Sequence, residues 1–102
     1  MSVYVGTYGT IWRGKTWYHL LGDTEAELHR FAGGIGLLRS WYQVNCSVPH
    51  YDVTEGKRTV AVEKGAVVLN TVEESDMLKT IRRRCRDGSF QGIMQGQSST
   101  ED

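Results

Sequence analysis

The sequence has 102 residues, 39% hydrophobic and 24% charged, which is typical of one globular domain with a single core and leaves no room for two domains. Twelve basic residues balance twelve acidic ones, so no net charge draws the molecule onto nucleic acid or an anionic membrane. The sequence has no run of the ~20 apolar residues that a membrane helix needs. Its first residues are neither basic nor followed by a long apolar run, so we expect no signal peptide.

The first part of the chain predicts a strand followed by a hairpin. Residues 2–5 are rich in strand-forming side chains, and Gly6 ends that run. Residues 11–12 and 16–21 predict two strands joined by a turn at residues 13–15. Alternation along the second of these strands places three side chains on one face, namely Trp17, His19 and Leu21.

Three helices follow, each beginning at a residue that can cap it. They are predicted to begin at residues 23–24, at Thr54 and at residues 70–71, and to end near Gly33–Gly36, Gly65 and Gly88. Capping-box spacing occurs at Thr24 with Glu27 and at Thr71 with Glu74. For the second helix, Asp52 or Thr54 can serve as the cap.

Two more strands are predicted between the helices. Residues 49–53 should be extended, because Pro49 disfavours a helix before it. Residues 66–69 form a continuous apolar run, which is typical of a strand buried on both faces. The periodicity predicts a core that consists of Leu28, Phe31, Ile35, Val67, Leu69, Leu78 and Ile81. The large aromatic pair Trp41–Tyr42 is expected to anchor residues 37–48 to the core.

Alternating strands and helices favour an α/β domain. We expect a small mixed or parallel sheet with a hairpin and about three flanking helices, formed by residues 1–88. Residues 89–102 turn to Gln, Gly, Ser and acid, which predicts a flexible polar tail. That tail has three apolar residues by which it can dock on the domain: Phe90, Ile93 and Met94.

The two cysteines bear on the compartment. Cys46 and Cys85 are far apart and form no C-x-x-C pair. We expect a cytoplasmic protein with both thiols reduced, a disulfide between them being the minor alternative.

Histidines and carboxylates form the first candidate site. In α/β sheets ligands gather at the carboxyl ends of strands, beside helix N-termini. The candidate polar pocket consists of His19, Asp23, His29, His50, Tyr51 and Asp52, and could serve as a metal or acid–base site. Candidate anion-binding residues are Arg13, Thr54, Asn70 and Thr71. The competing interpretation is structural, because Asp23 and Asp52 are also good helix caps and no spacing matches a known metal motif.

A run of arginines forms the second candidate. Arg82, Arg83, Arg84 and Arg86 could hold phosphates while a tryptophan stacks on a base. The competing interpretation is a solvated helix end whose cations complement the helix dipole, and the balanced net charge favours it. The expected partner is a protein or a small anionic ligand, with nucleic acid the less favoured alternative and no membrane, and no motif identifies a cofactor.

An ordered string of short motifs carries a family resemblance. The motifs are Tyr4-Val5, Trp12-Arg13-Gly14, Trp17, His19-Leu20, Asp23, Glu27-Leu28-His29, Phe31-Ala32, Ile35-Gly36, Trp41, Gln43, Pro49-His50-Tyr51-Asp52 and Gly65-Ala66-Val67. From Val3 to about Arg84 the chain resembles domain-of-unknown-function family 4031, a set of short bacterial and phage proteins. The resemblance implies a small accessory protein, often encoded by phages or mobile elements, and no settled activity. Members usually have Asp where this chain has Gly6.

Two functional hypotheses follow. The favoured one is a small accessory binding protein that acts through a pocket or a protein interface. The alternative is a small hydrolase or phosphoester-cleaving enzyme that uses the His/Asp set, with a divalent metal as a candidate cofactor. Convergence of His19, His50 and Asp52 in one cleft would favour the enzyme.

Overall fold

The computed structural model describes residues 2–44 and 48–91. In chain order the elements are β1 (Val3–Gly6), β2 (Thr10–Trp12), β3 (Lys15–Gly22), α1 (Glu25–Gly34), a 3₁₀ turn (Arg39–Trp41), β4 (Tyr51–Thr54), α2 (Glu55–Glu63), β5 (Val67–Leu69) and α3 (Thr71–Asp87). A mixed five-stranded sheet with three helices confirms the α/β class predicted from the sequence. None of the described helices combines the length and the apolar character needed to cross a membrane.

Strand β3 is the centre of the sheet. It pairs antiparallel with β1, β2 and β4. Trp17 lies opposite both Thr10 of β2 and Thr54 of β4, so β2 and β4 occupy opposite edges of β3. The β2–β3 hairpin turns through Arg13 (φ 51°) and Gly14 (φ 77°), and positive φ at both positions is typical of a tight type I′ turn.

The helices cover the two faces of the sheet unequally. On one face α1 and α2 pack against inward side chains of β1, β3 and β4. On the other face α3 is the one described helix that packs, against Leu21 of β3 through Ile81 and its neighbours. Helix α3 therefore leaves part of this second face open, at the end of the sheet formed by β2, β3 and β4.

Each helix begins at a side chain that caps it. Thr24 accepts a hydrogen bond from the Glu27 amide, and Thr54 accepts one from the Lys57 amide. The predicted capping box of α3 is shifted by one residue. Asn70, and not Thr71, caps the helix and makes the reciprocal pair with Glu73. Asn is a stronger N-cap than Thr, and the shift leaves Glu74 free for another contact.

The predicted core is correct in part. Leu28, Ile35, Leu69 and Ile81 are buried, and Phe31 and Leu78 are half-buried against the core. The prediction that Val67 belongs to the core is wrong, because Val67 is 43% exposed. Strand β5 pairs only with β1 among the described strands, so it is an edge strand and not one buried on both faces. Trp41 is also exposed, whereas its neighbour Tyr42 packs against the core.

The packed chain continues past α3. Gly88 ends α3 with a left-handed backbone (φ 86°). Phe90, two residues later, is fully buried in the cluster beneath α3, and its carbonyl accepts a hydrogen bond from the Glu25 amide. Phe90 therefore docks as the sequence suggested. Ile93, Met94 and Cys46 lie outside the described residues, and Cys85 is a free thiol.

Candidate functional site

Three polar residues meet on the open part of the second sheet face. His19 of β3 lies directly opposite Asp52 of β4 in the antiparallel register. His50 precedes Asp52 by two positions, so its side chain points to the same face. One ligand atom from each of the three lies within 4.8 Å of those from the other two. The β3–β4 register thus joins residues that are more than thirty positions apart in the chain.

His50 is held from both sides of its ring. Its Nδ1 lies 2.8 Å from the Val48 carbonyl oxygen, which can only accept a hydrogen bond, so Nδ1 carries a hydrogen. Its Nε2 then faces Asp52 Oδ1 at 3.3 Å. Burial lowers the pKa of His50, but the hydrogen bonds to Asp52 and Val48 and the charge of Asp52 outweigh it, so the pKa is raised. The hydrogen bond from His50 in turn lowers the pKa of Asp52.

His19 is oriented by a carboxylate from α3. Its Nδ1 lies 2.9 Å from Glu74 Oε2, and the Glu74 side chain is only 14% exposed. A carboxylate accepts, so His19 donates to Glu74 through Nδ1, and the neutral tautomer with that hydrogen is the one whose Nε2 can bind a metal. The rings of His19 and His50 meet edge to face with centroids 4.7 Å apart.

These contacts resemble those that orient histidines in transition-metal sites. Metal-binding histidines typically donate their other ring N–H to a carboxylate or a backbone carbonyl, as His19 does to Glu74 and His50 to Val48. Two imidazoles and one carboxylate are a known ligand set for catalytic zinc and non-haem iron. Ligand atoms around a tetrahedral ion lie roughly 3.4 Å apart, and His50 Nε2 and Asp52 Oδ1 are separated by 3.3 Å.

The three residues line an open pocket of about 760 Å³. That volume is within the range of small-molecule sites. Its walls also carry three tryptophans and two lysines, which are Trp12, Trp17, Trp41, Lys15 and Lys57. Because the pocket is open, a metal held by three protein ligands would keep a position for water or substrate.

Asp23, which follows the end of β3, is not among the described residues that line this pocket. Its carboxylate accepts hydrogen bonds from the Ser2 amide at 2.8 Å and the Tyr4 hydroxyl at 2.9 Å. Arg84 of α3 donates to the Asp23 carbonyl and approaches its carboxylate at 3.4 Å. These contacts tie the end of β3 to the start of the chain and to α3, which is a structural role.

His29 of α1 and Tyr51 of β4 lie together on the opposite sheet face. His29 Nδ1 is 2.8 Å from the Tyr51 hydroxyl. Its Nε2 is buried without a hydrogen-bond partner among the described residues, and Glu25 lies 3.9 Å away. Burial lowers the pKa of His29, so the ring is neutral at physiological pH. Neither His29 nor Tyr51 is among the described residues that line the pocket.

The candidate anion-binding residues are dispersed. Thr54 lines the pocket and caps α2, whereas Asn70 and Thr71 lie at the exposed start of α3. Arg13 lies in the hairpin turn with its guanidinium 4.5 Å from the centroid of the Trp12 ring. Of the arginine run, Arg84 binds Asp23, and no arginine of the run is among the described residues that line the pocket.

Glu74 was missed by the reasoning from the sequence. It was interpreted as the capping partner of Thr71, but Asn70 and Glu73 make that box. The available signal was the pair Glu73–Glu74, since a capping box uses only one acidic residue and leaves the other for a second role.

The neighbourhood of Gly6 explains how the chain accommodates glycine there. A β-carbon built on Gly6 would lie 2.6 Å from Glu74 Oε1. The Glu74 carboxylate thus occupies the space into which a side chain at position 6 would project. The position at which the resembled family usually has an aspartate is here adjacent to a carboxylate supplied by α3.

Comparison with known proteins confirms the resemblance. Residues 3–82 match the model of a family described as "Protein of unknown function (DUF4031)". A search of curated proteins and a search of solved structures found no match.

Proposed function

We propose that this chain, which belongs to the DUF4031 family of proteins of unknown function, is a small metal-dependent hydrolase with a divalent transition metal at His19, His50 and Asp52. The observation that carries the proposal is the convergence of two imidazoles and a carboxylate in an open pocket. Each imidazole is held by a separate acceptor on its other nitrogen, Glu74 for His19 and the Val48 carbonyl for His50.

The arrangement suits hydrolysis. A metal with three protein ligands lowers the pKa of a bound water towards neutrality and polarises the bond that the water attacks. His19 and His50 would hold a divalent ion through neutral nitrogen donors and Asp52 through one negative charge, so the ion would keep a net positive charge. The Glu74 carboxylate holds the His19 ring and makes it a stronger donor.

Glu74 is a positioning residue in this account. Its Oε2 contacts His19 Nδ1, and the bond fixes which nitrogen of His19 faces the pocket. The Glu74 side chain is 14% exposed and that of His19 is 41% exposed, so Glu74 is the more buried of the two and fixes the orientation of a half-exposed ring.

A small accessory binding protein remains the second candidate. It would use the same pocket, and its aromatic walls favour it as much as they favour an enzyme. The two candidates differ in turnover, since an accessory protein would bind metal or ligand without changing it. The predicted cytoplasmic location and the association with phages are part of either proposal.

The visible spectrum of Co²⁺ added to the full chain tests the metal site. Four-coordinate Co²⁺ with nitrogen and oxygen ligands has visible bands that the aqueous ion lacks, so we expect these bands for the wild type. His50→Ala and Asp52→Ala should lose them. His29→Gln is the matched control, since it removes a histidine from the opposite face and should keep the spectrum.

Turnover is tested with chromogenic nitrophenyl carboxylate esters, phosphomonoesters and phosphodiesters. A hydrolase should cleave one class, with activity lost on chelation and regained on adding Zn²⁺, Mn²⁺ or Co²⁺. Binding of Co²⁺ with no turnover of any class by the wild type would leave the accessory binding protein as the better description.

A further inference from the structure

All three tryptophans of the chain line the pocket that contains the proposed metal site. Trp12 is 57% exposed and Trp41 is 48% exposed. Trp17 precedes His19 by two residues on β3, and its Nε1 donates to the Trp12 carbonyl at 3.2 Å. The rings of Trp12 and Trp17 meet edge to face at 6.4 Å. Large exposed aromatic rings beside a polar centre provide surfaces on which a flat ligand can stack.

The positive charge of the pocket favours a flat ligand that carries negative charge. Lys15 and Lys57 line it against the single carboxylate of Asp52, and a divalent ion would add two more positive charges. Lys57 is fixed by its Nζ, which donates to the Ile35 carbonyl at 2.6 Å. On the hairpin, the Arg13 guanidinium lies over the ring of Trp12, which places a further cation beside a ring that lines the pocket. A neutral sugar would gain nothing from these charges, whereas a phosphate would.

Stacking surfaces combined with cations are the recognition chemistry of single-stranded nucleic acid. Unpaired bases stack on aromatic side chains, and the backbone follows positive charge. A duplex cannot use these rings, because its bases are stacked on one another. A free mononucleotide could occupy one ring, but Trp12 and Trp41 together offer separate stacking surfaces on different segments of the chain.

We propose that the pocket binds a short stretch of single-stranded nucleic acid, with bases on Trp12 and Trp41 and a phosphodiester at the His19–His50–Asp52 centre. This inference rests on the proposed function and names its substrate class. In the reaction, a water oxygen forms a bond to phosphorus and the bond from phosphorus to one ester oxygen breaks. One proton of the water ends on the departing hydroxyl and the other goes to the phosphate monoester or to solvent, so no further reactant is needed.

Intrinsic fluorescence is the direct test, since every tryptophan of the protein lies in this pocket. Short unlabelled oligothymidylate and oligouridylate are titrated into the cobalt-loaded chain, and the products are separated by electrophoresis. We expect quenching, and cleavage that depends on the metal. Trp41→Ala should bind roughly 5- to 100-fold more weakly, because stacking contributes that much per base. Tyr8→Ala is the control, since Tyr8 is an exposed aromatic residue that is not among the described residues lining the pocket, and this variant should bind like the wild type.

The outcomes separate this inference from the proposed function. If the cobalt bands form but neither oligonucleotide quenches the tryptophans or is cut, the substrate class is wrong and the metal site stands. If the bands never form, the proposed function fails first. Tighter binding of thymidine monophosphate or a neutral oligosaccharide than of the oligonucleotide would overturn the inference, and equal affinity of Trp41→Ala and wild type would overturn the stacking role. Circular-dichroism melts of each variant exclude misfolding as the cause.

Discussion

Glu74 Oε1 lies where a side chain at Gly6 would begin, 2.6 Å from an ideal β-carbon on that residue. The same carboxylate holds His19 through its other oxygen. Position 6 and the proposed metal centre are therefore coupled through Glu74, even though Gly6 itself contacts no proposed ligand in the described contacts.

The first prediction tests this coupling with Gly6→Ala. The added methyl group would push the Glu74 carboxylate away from His19. Because the carboxylate is the flexible end of a long side chain, the free energy of unfolding should change by less than about 1 kcal/mol. The affinity for Zn²⁺ should fall roughly 10- to 100-fold, as when an outer partner of a metal ligand is lost. Calorimetric titration of Zn²⁺ measures the affinity, and a denaturant melt measures the stability.

Glu74→Ala should lose metal affinity to a similar extent and provides the background for a rescue. In the double variant Gly6→Asp/Glu74→Ala the Glu74 carboxylate no longer fills the space beside position 6. An aspartate on β1 can then replace Glu74 as the hydrogen-bond acceptor of His19. We expect the double variant to bind Zn²⁺ more tightly than Glu74→Ala alone. Equal affinities of these two variants would show that position 6 has no access to His19.

The second prediction concerns the boundary of the domain. A chain truncated after Gly88 loses Phe90, which is fully buried beneath α3. The loss of a buried phenylalanine costs roughly 3–5 kcal/mol, so the free energy of unfolding should fall by about that amount. A chain truncated after Gln91 keeps Phe90 and is the matched control, with a melt close to that of the full chain. Equal melts for the two truncations would mean that Phe90 contributes nothing to the fold.

The third prediction concerns pH. Burial lowers the pKa of His29 in the folded protein, so the unfolded chain binds more protons there as the pH falls below about 6.5. The stabilisation from this residue is present above that pH and is lost as the pH falls towards the folded pKa. The stabilisation from His50 depends on pH in the opposite direction. Its folded pKa is raised, so its contribution is present below about 6.5 and is lost as the pH rises through the folded pKa.

Ring resonances followed by NMR separate the two histidines. In the metal-free protein, we expect the midpoint of His29 below, and that of His50 above, the midpoint of an unfolded peptide histidine. His29→Gln and His50→Ala assign the two signals by their disappearance. Titration of His29 at or above the peptide value would contradict its burial as a neutral ring.

The fold could be predicted from the sequence where the pattern is local. The hairpin with Gly14, the caps Thr24 and Thr54, and the apolar stripe of α1 are all set by neighbours in the chain, and the structure has them. Val67 was misjudged because an apolar run does not reveal which strands flank it. Strand β5 lies at the edge of the sheet, and that order is decided by tertiary packing.

The sequence predicts the types of residue in the candidate site, but not which of the candidate residues lie together. His50 and Asp52 share a face because they are two apart on an extended segment, a local property. Adding His19 required the β3–β4 register, which the sequence does not state. His29 is grouped with them by residue type and Tyr51 by its place between His50 and Asp52, yet alternation along β4 turns Tyr51 to the opposite face.

Calorimetric titration of Zn²⁺ into the wild type and the double variant His19→Ala/His50→Ala tests the central claim most directly. His29→Gln serves as the histidine control, and circular-dichroism melts confirm that all three proteins are folded. The account predicts that the wild type and His29→Gln bind one ion per chain and that the double variant binds none at the same concentrations. Absence of binding by the wild type, or equal binding by the double variant, would contradict it.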